Sequence, residues 1–219
     1  MSVEPKDATA RVVIVGAGGQ GQVVADILAA AGDASGLRAI GFVDDAPERI
    51  GATVLGLPVL GRLETLPSVP HDAVVVAIGD NAVRARISLA LEASGERLVG
   101  VRHPFSSIAV SAEIGPGCMI SAGAVITPSA RLGRGVLVNT NASIDHGTVV
   151  DDFAHVACGA VVGGDVSIGA RTLIGIGASV MSGRTIGADT VVGAGALVQR
   201  DLPEGVVAYG VPARMHAER

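Results

Sequence analysis

The second half of the chain repeats with a period of six. From Ile108 to Val198 every sixth residue is Ile, Leu or Val, without an insertion. Four positions after each of these the residue is small or compact, as at Ala112, Cys118, Ala124, Ala142, Thr148 and Ala160, and only Arg184 and Leu202 depart from this. This is the hexapeptide signature of a parallel β-helix, in which each hexapeptide supplies one short strand and one corner. The aliphatic residue points inward and the small residue fits the corner. Three hexapeptides close a triangular coil of 18 residues, so the stretch from Ile108 to Pro203 predicts about five coils, stacked at ~4.8 Å like neighbouring strands of any sheet. Residues 18 apart then lie one above another. His146, Gly164 and Ser182 form one column, and Cys158, Ile176 and Ala194 form another, reaching Pro212 if the register survives past Pro203.

The first half alternates between apolar runs and amphipathic segments. RVVIVG (11–16), AIGFVDD (39–45), DAVVVAIGDN (72–81) and RLVGVRHP (97–104) read as strands. QVVADILAAAG and AVRARISLALEASG read as helices, the second closed by Gly95. Strands alternating with helices predict a parallel, Rossmann-like α/β sheet. The chain thus divides into a small α/β domain over 1–105 and a left-handed parallel β-helix over 106–219.

Composition narrows the class. Gly accounts for 31 of 219 residues, Trp is absent, and Phe and Tyr number three and one. A core of stacked aliphatics needs little aromatic bulk, which agrees with a solenoid. The net charge of −5 and the lack of a basic run argue against nucleic acid as a partner. Mean hydropathy is high at +0.53, but no run of about 18 apolar residues occurs, so no membrane-inserted helix is expected. The N-terminal stretch lacks the apolar core and cleavage site of a signal peptide. Two cysteines make neither a disulfide framework nor a metal cluster, and a reducing, cytoplasmic setting is expected.

Candidate chemistry sits at three places. Gly16, Gly18, Gly19, Gln20 and Gly21 form a Gly-rich turn between the first strand and first helix, where backbone N–H groups and the helix dipole hold a phosphate. A tight structural turn explains the same glycines. Asp44 and Asp45 end the second strand, and Gly79 and Asn81 follow the third, at the carboxyl ends of parallel strands where ligands bind. Asp44 is a candidate for a ribose hydroxyl. So short an α/β unit suits a mononucleotide or nucleotide-sugar better than a dinucleotide. The third place is the coil carrying His146 and His155.

Along nearly its whole length the chain resembles a known family through VVIVGAGGQG, FVDD, VAIGDN, VNTNASIDHGTVVDDFAHVACGAVVGGDVSIG, IGIGASV, VVGAGALV and VAYGVPAR. It is similar to the bacterial sugar acetyltransferases typified by sialic acid O-acetyltransferase and the N-acetyltransferases of nucleotide-linked 4-amino-4,6-dideoxy sugars, which serve surface glycan synthesis. The resemblance implies a nucleotide-sugar in the N-terminal domain, acetyl-CoA on the β-helix, no metal, and a homotrimer with active sites between subunits. It implies that His146 is the catalytic base and that the Gly164 N–H stabilises the oxyanion. It places His155, Ile176 and Ala194 at the acetyl-CoA site, with Arg214 near a CoA phosphate, and Asn139 with the substrate. Cys118 reads as packing, His103 as structural, and His71 and His216 as loop and tail residues. Members carry an acid directly after the histidine, whereas here Gly147 stands there. Asp145 precedes the histidine and Asp151 and Asp152 lie nearby, so the orienting partner is open. With no such acid, an amine acceptor ranks above a hydroxyl.

Other readings carry less. A sialic-acid-type O-acetyltransferase differs in acceptor alone. The zinc carbonic anhydrases of this fold need three histidines in the coils, and the repeat holds two. A non-catalytic scaffold, or a redox enzyme using the Gly-rich turn for NAD, would not consume acetyl-CoA. Nucleotidyltransferases with β-helices carry Arg and Lys in their Gly-rich loop, and GAGGQGQVVAD has neither.

Overall fold

The computed structural model describes residues 9–218. The first eight residues of the stretch read above for a signal peptide lie outside it. The N-terminal half opens with β1 (Ala10–Val15), α1 (Gly19–Ala31) and β2 (Leu37–Val43), followed by β3 (Thr53–Val54), β4 (Leu57–Gly61), β5 (Ala73–Val76) and α2 (Asn81–Ala93). The sheet order is β3-β4-β2-β1-β5, with β3 antiparallel to β4 and the other pairings parallel. The chain leaves β1 for β2 on one side and reaches β5 on the other. The crevice at the carboxyl end of β1 is therefore the switch point where such sheets take ligands. Val12, Val13 and Ile14 of β1 and Val74 of β5 are fully buried, as an apolar strand covered on both faces requires. The short β3–β4 hairpin was not legible in the sequence, because neither strand is long enough to show a period.

α1 buries Gly21, Val24, Ala25, Ile27 and Leu28, a stripe with helical spacing. That stripe packs in one cluster with Phe42 of the sheet and with Met119 and Leu137 of the β-helix, so the two halves share a core. The side chain of Asp80 caps α2 by accepting from the Val83 N–H at 2.9 Å, which satisfies a donor the helix leaves open.

The expected fourth strand divides. Leu98 makes a single parallel bridge with Val74 of β5, but Val101–Arg102 pairs with Met119–Ile120 of the β-helix. Gly100 makes the crossing: a Cβ there would stand 2.7 Å from the Cys118 carbonyl oxygen. From this point the chain is a left-handed parallel β-helix of two-residue strands in three sheets. Successive strands pair 18 residues apart, as in Ser143–Val161–Ser179. The inward aliphatics from Ile120 to Val198 are at most 4% exposed, whereas Ile114 in the first coil is 37% exposed because no coil lies beneath it. Threonines enter the small-residue column by bonding the corner ahead. Thr148 and Thr172 donate to the carbonyls of Gly163 and Gly187 at 2.9 and 2.7 Å. Cys118 follows the same pattern toward Gly133 at 3.1 Å.

The register does not survive to Pro212. Ile186 bridges Leu202, and Val191–Val192 pairs with Val207–Ala208, a step of 16 instead of 18. Leu202, which broke the small-residue column, is the residue at which the coil shortens. The chain ends in an antiparallel pairing of Val206–Tyr209 with Arg214–Glu218. Among the described residues no helix is long and apolar enough to cross a membrane.

Candidate active site

A pocket of about 400 Å³ lies at the switch point, lined by the Gly16–Gln20 turn, Asp44, Asp45, Ile78, Gly79 and Arg86. The glycines of the turn divide into two kinds. Gly16 has φ +100 and a Cβ there would meet the Ala77 carbonyl oxygen at 2.9 Å, while a Cβ on Gly21 would meet the Gly16 carbonyl oxygen at 2.0 Å. These two are required by chain packing. Gly18 and Gly19 are not: beyond Gly18 the nearest atoms are the Arg49 guanidinium nitrogens at 3.9 Å and 4.0 Å, and beyond Gly19 there is open space. The tight-turn reading accounts for Gly16 and Gly21, and leaves Gly18 and Gly19 without a packing reason. Gln20 reaches from this turn to the sulfur of Met119 at 3.9 Å, joining the pocket rim to the β-helix.

The acids of FVDD are committed to loops. Asp44 accepts from the N–H groups of Ala17 at 2.7 Å and Ala46 at 2.9 Å, and Asp45 accepts from the Leu63 N–H at 2.9 Å. The Ala17 N–H is therefore taken by a carboxylate. Cations that sequence reading passed over supply the positive charge: Arg86 in the pocket wall, and Arg49, whose guanidinium donates to the Ala17 carbonyl oxygen.

Asn81 is corrected. Its amide donates to the carbonyl oxygens of Arg171 and Thr172 at 2.8 and 3.2 Å, its oxygen accepts from Arg84 at 2.8 Å, and it does not line the pocket. It fastens α2 to the β-helix. Arg84, 1% exposed, does the same on a larger scale. Its guanidinium donates to Gly135 at 3.0 Å and Phe153 at 2.6 Å in the β-helix, and to Ile78 at 2.9 Å and Gly79 at 3.2 Å in the turn before α2. Burial lowers its pKa to about 10, so it stays charged near neutrality. No motif marks it. A lone arginine on the apolar side of a helix is the only trace in the sequence.

His146 stands on a corner between the strands Ser143–Ile144 and Val149–Val150. The column holds: the Asp165 N–H donates to the His146 carbonyl oxygen at 2.8 Å, and the Gly183 N–H to that of Gly164 at 2.9 Å. The imidazole lies over Gly164, where a Cβ would be 2.5 Å from Cε1 and 2.7 Å from Nε2. The ring is open to solvent, with its side chain 62% exposed. Among the described residues the Gly164 N–H has no acceptor. An accessible imidazole thus stands beside an unpaired backbone donor.

His155 faces the N-terminal half from the strand His155–Val156, and its Nε2 lies 3.4 Å from the Asn139 amide nitrogen. Burial, assisted by the Arg84 charge, depresses its pKa to about 4, so it is neutral at physiological pH. Its column neighbours are Leu137 and Leu173. On the adjoining corner the N–H groups of Gly177 and Gly195 donate to the carbonyls of Cys158 at 2.9 Å and Ile176 at 2.8 Å, which confirms that column as far as Ala194. Pro212 is not its next member, since the shortened coil pairs Val192 with Ala208. Ile176 is 63% exposed, and the N–H groups of Ile176 and Ala194 have no acceptor among the described residues. Arg214 is exposed at the C-terminal hairpin.

The remaining candidates have structural explanations. Burial pushes the Cys118 thiol up to about 12, which makes it a poor nucleophile. His103 is 8% exposed and its Nδ1 accepts from the Phe105 N–H at 3.0 Å. His71 bridges Val69 and Glu96 at 2.6 and 2.8 Å. His216 stacks on Tyr209 with ring centroids 3.6 Å apart.

Within one chain the two groups of candidate residues are apart. The corner with His146 and Gly164 and the corner with Cys158, Ile176 and Ala194 are separated by the face that holds Ser143, Val161 and Ser179. A face six residues wide spans roughly 15–20 Å of extended chain.

Known proteins match both halves of the chain. Residues 11–91 match the PglD N-terminal domain, and residues 165–200 match the bacterial transferase hexapeptide repeat. No curated protein matches the chain significantly. Among solved structures, PerB from Caulobacter crescentus, in complex with CoA and GDP-perosamine, is 37% identical over 96% of this chain and 99% of its own, with a TM-score of 0.89. A perosamine N-acetyltransferase from Caulobacter crescentus, solved with a histidine replaced by asparagine and by alanine and with CoA and GDP-perosamine, is 36% identical over 96% of this chain and 99% of its own, with a TM-score of 0.90. The acetyltransferase domain of PglB from Neisseria gonorrhoeae is 34% identical over 94% of this chain and 100% of its own, with a TM-score of 0.88. WeeI from Acinetobacter baumannii is 26% identical over 94% of this chain and 99% of its own, with a TM-score of 0.78.

Proposed function

The chain belongs to the left-handed β-helix, hexapeptide-repeat acyltransferases that carry a PglD N-terminal domain, and from that membership we propose that it transfers acetyl from acetyl-CoA to the amino group of a nucleotide-linked 4-amino-4,6-dideoxy sugar. The setting is the cytoplasmic synthesis of a bacterial surface glycan. The observation that carries the reading is the exposed His146 imidazole over Gly164, whose N–H has no acceptor among the described residues. The sugar amine attacks the thioester carbonyl. His146 takes the amine proton as general base. The oxygen that gains charge is met by the Gly164 N–H, already positioned and unpaired. Collapse of the tetrahedral intermediate expels the CoA thiolate, which is protonated as thiol, and leaves an amide. No acyl-enzyme is needed, in keeping with the unreactive Cys118.

The division of labour follows the two domains, 1–105 and 106–219. The switch-point pocket takes the nucleotide, with the open glycines Gly18 and Gly19, Gly79 and Arg86 around it. The Ile176 and Ala194 N–H groups suit the amide carbonyls of the CoA arm, with His155 and Asn139 toward its thioester end and the substrate. Arg214 suits a CoA phosphate. Because the His146 corner and the Ile176 corner lie on opposite edges of one face, the set closes when a second subunit brings its own corner across. A homotrimer supplies three such sites. GDP-perosamine and CoA in the structure of PerB support the substrate class.

The test is thiol release from acetyl-CoA with GDP-, UDP- and dTDP-linked 4-amino sugars and with free and CMP-linked sialic acid, alongside His146→Asn. Turnover of one amino sugar that the substitution removes supports the reading. Turnover of sialic acid alone makes the enzyme an O-acetyltransferase, and silence across the panel overturns it.

A further inference from the structure

The residue directly after His146 is Gly147, which offers the imidazole no side chain. Gly147 has φ +66, a conformation that strains most side chains. A Cβ built on it would meet Asp165 Oδ1 at 2.2 Å, so the space an acid would need at this position is already filled by a carboxylate from the next coil. Asp165 is held there by its own backbone, whose N–H donates to the His146 carbonyl oxygen at 2.8 Å. Its Oδ2 lies 3.9 Å from His146 Nδ1. Both side chains are largely exposed, at 62% and 73%, so a small rotation closes that distance once substrate is bound.

Asp145, the other acid beside the ring, is committed elsewhere. Its Oδ1 accepts from the His146 backbone N–H at 2.8 Å and from Thr127 Oγ1 at 3.1 Å. The coil before contributes the uncharged Pro128 and Ser129 at this corner, and the coil after Asp165 contributes Ser182 and Arg184, whose guanidinium pairs with Asp201 at 3.5 Å. Of the two acids beside the imidazole, Asp145 and Asp165, only Asp165 approaches Nδ1.

We propose that Asp165 is the positioning residue for His146, a carboxylate delivered from the next coil that holds the Nδ1–H and leaves Nε2 as the proton acceptor. This rests on the acetyltransfer reading above. Gly147 is then the partner of Asp165: its missing side chain makes room for an acid 18 residues further on.

One experiment reads the imidazole without turnover. In ¹⁵N NMR spectra the His146 ring carries its proton on Nδ1 in the wild type and shifts toward the Nε2–H form in Asp165→Gly. An unchanged tautomer overturns the proposal. With the preferred amino sugar, Asp165→Gly lowers kcat about tenfold, a fraction of what a general base contributes, and leaves KM for acetyl-CoA within twofold. Asp165→Asn, a residue that tolerates positive φ, keeps the corner intact and lowers kcat by the same order, because the imidazolium loses its counter-charge. Gly147→Asp alone loses activity by crowding Asp165. Gly147→Asp combined with Asp165→Gly regains most of the lost kcat, which a purely structural role for Asp165 would not allow. A double variant no more active than Asp165→Gly, or an Asp165→Asn enzyme with full kcat, also overturns the proposal. Should no amino sugar be turned over, the functional reading fails while the tautomer comparison still decides the role of Asp165.

Discussion

His146 and Gly164, one coil apart, are in contact through the open face of the glycine: a Cβ on Gly164 would stand 2.5 Å from Cε1, 2.7 Å from Nε2 and 3.0 Å from Nδ1 of the imidazole. Gly164→Ala therefore separates fold from activity. The backbone at Gly164 is not in the left-handed region, and the group in the way is the mobile end of an exposed side chain. The cost to stability is within about 1 kcal/mol, because the ring swings aside. The displaced ring no longer stands beside the Gly164 N–H, and kcat falls on the order of 100-fold or more, the scale of a lost general base. Thiol release and a urea midpoint measured on the same preparation check both halves.

Arg84 is the fastening between the halves. Truncation to Ala leaves the buried carbonyls of Gly135 and Phe153, and the half-buried one of Ile78, without this donor. Each unsatisfied buried group costs about 1–3 kcal/mol, and the loss as a whole is expected at about 3–5 kcal/mol. Arg84→Lys does not rescue it, since one ammonium cannot reach carbonyls on both sides of the interface as a planar fork does. Urea denaturation of the two variants, with equal losses within about 1 kcal/mol, is the expected result.

His155 gives the protein an acid sensitivity. Its folded pKa is about 4, lowered by burial and by the Arg84 charge, against about 6.5 unfolded. Between these values the unfolded chain binds the proton and the folded one does not. Stability is thus unaffected above about pH 6.5 and falls as the pH drops toward 4. The loss is about 2 kcal/mol at pH 5. Denaturation at pH 7 and pH 5 should show the wild type losing that much more than His155→Gln, and equal losses would count against the buried neutral histidine.

The division between what the sequence showed and what it hid follows the range of each interaction. The β-helix was legible because a period of six repeats the same local requirement in every coil, and the columns 146–164 and 158–176–194 follow from that period alone. The exceptions are where two segments meet. Asn81 had the right place for a ligand residue, at the end of a strand, but the β-helix backbone lies within reach and takes its amide. Arg84 was invisible for the same reason: its partners lie 51 and 69 residues away, where no local pattern records them. Asp165 stands 18 residues after Gly147, in a column the period does imply, but the repeat does not say that its carboxylate turns toward His146. The shortened coil at Leu202 was signalled, since Leu202 breaks the small-residue column, but the direction of the slip depends on how the C-terminal strand pairs.

The Gly-rich turn separates glycines that packing requires from glycines that it does not. Gly21→Ala puts a Cβ 2.0 Å from the Gly16 carbonyl oxygen. Backbone cannot move aside as a side chain does, so α1 must leave its seat on the shared core. The variant loses about 3 kcal/mol or more. Gly19→Ala meets nothing within 4 Å and lies in the first turn of α1. Ala suits a helix better than Gly by up to about 1 kcal/mol, so this variant is as stable as the wild type or slightly more so. Its methyl group projects toward the space a phosphate would occupy. The expected outcome is a KM for the nucleotide-sugar raised about tenfold or more, the loss of about one hydrogen bond to a charged group, with the KM for acetyl-CoA unchanged. Were Gly19→Ala to bind the nucleotide-sugar as the wild type does, the open side of the turn would not be the phosphate site, and Arg86 and Gly79 across the pocket would have to hold the nucleotide without it.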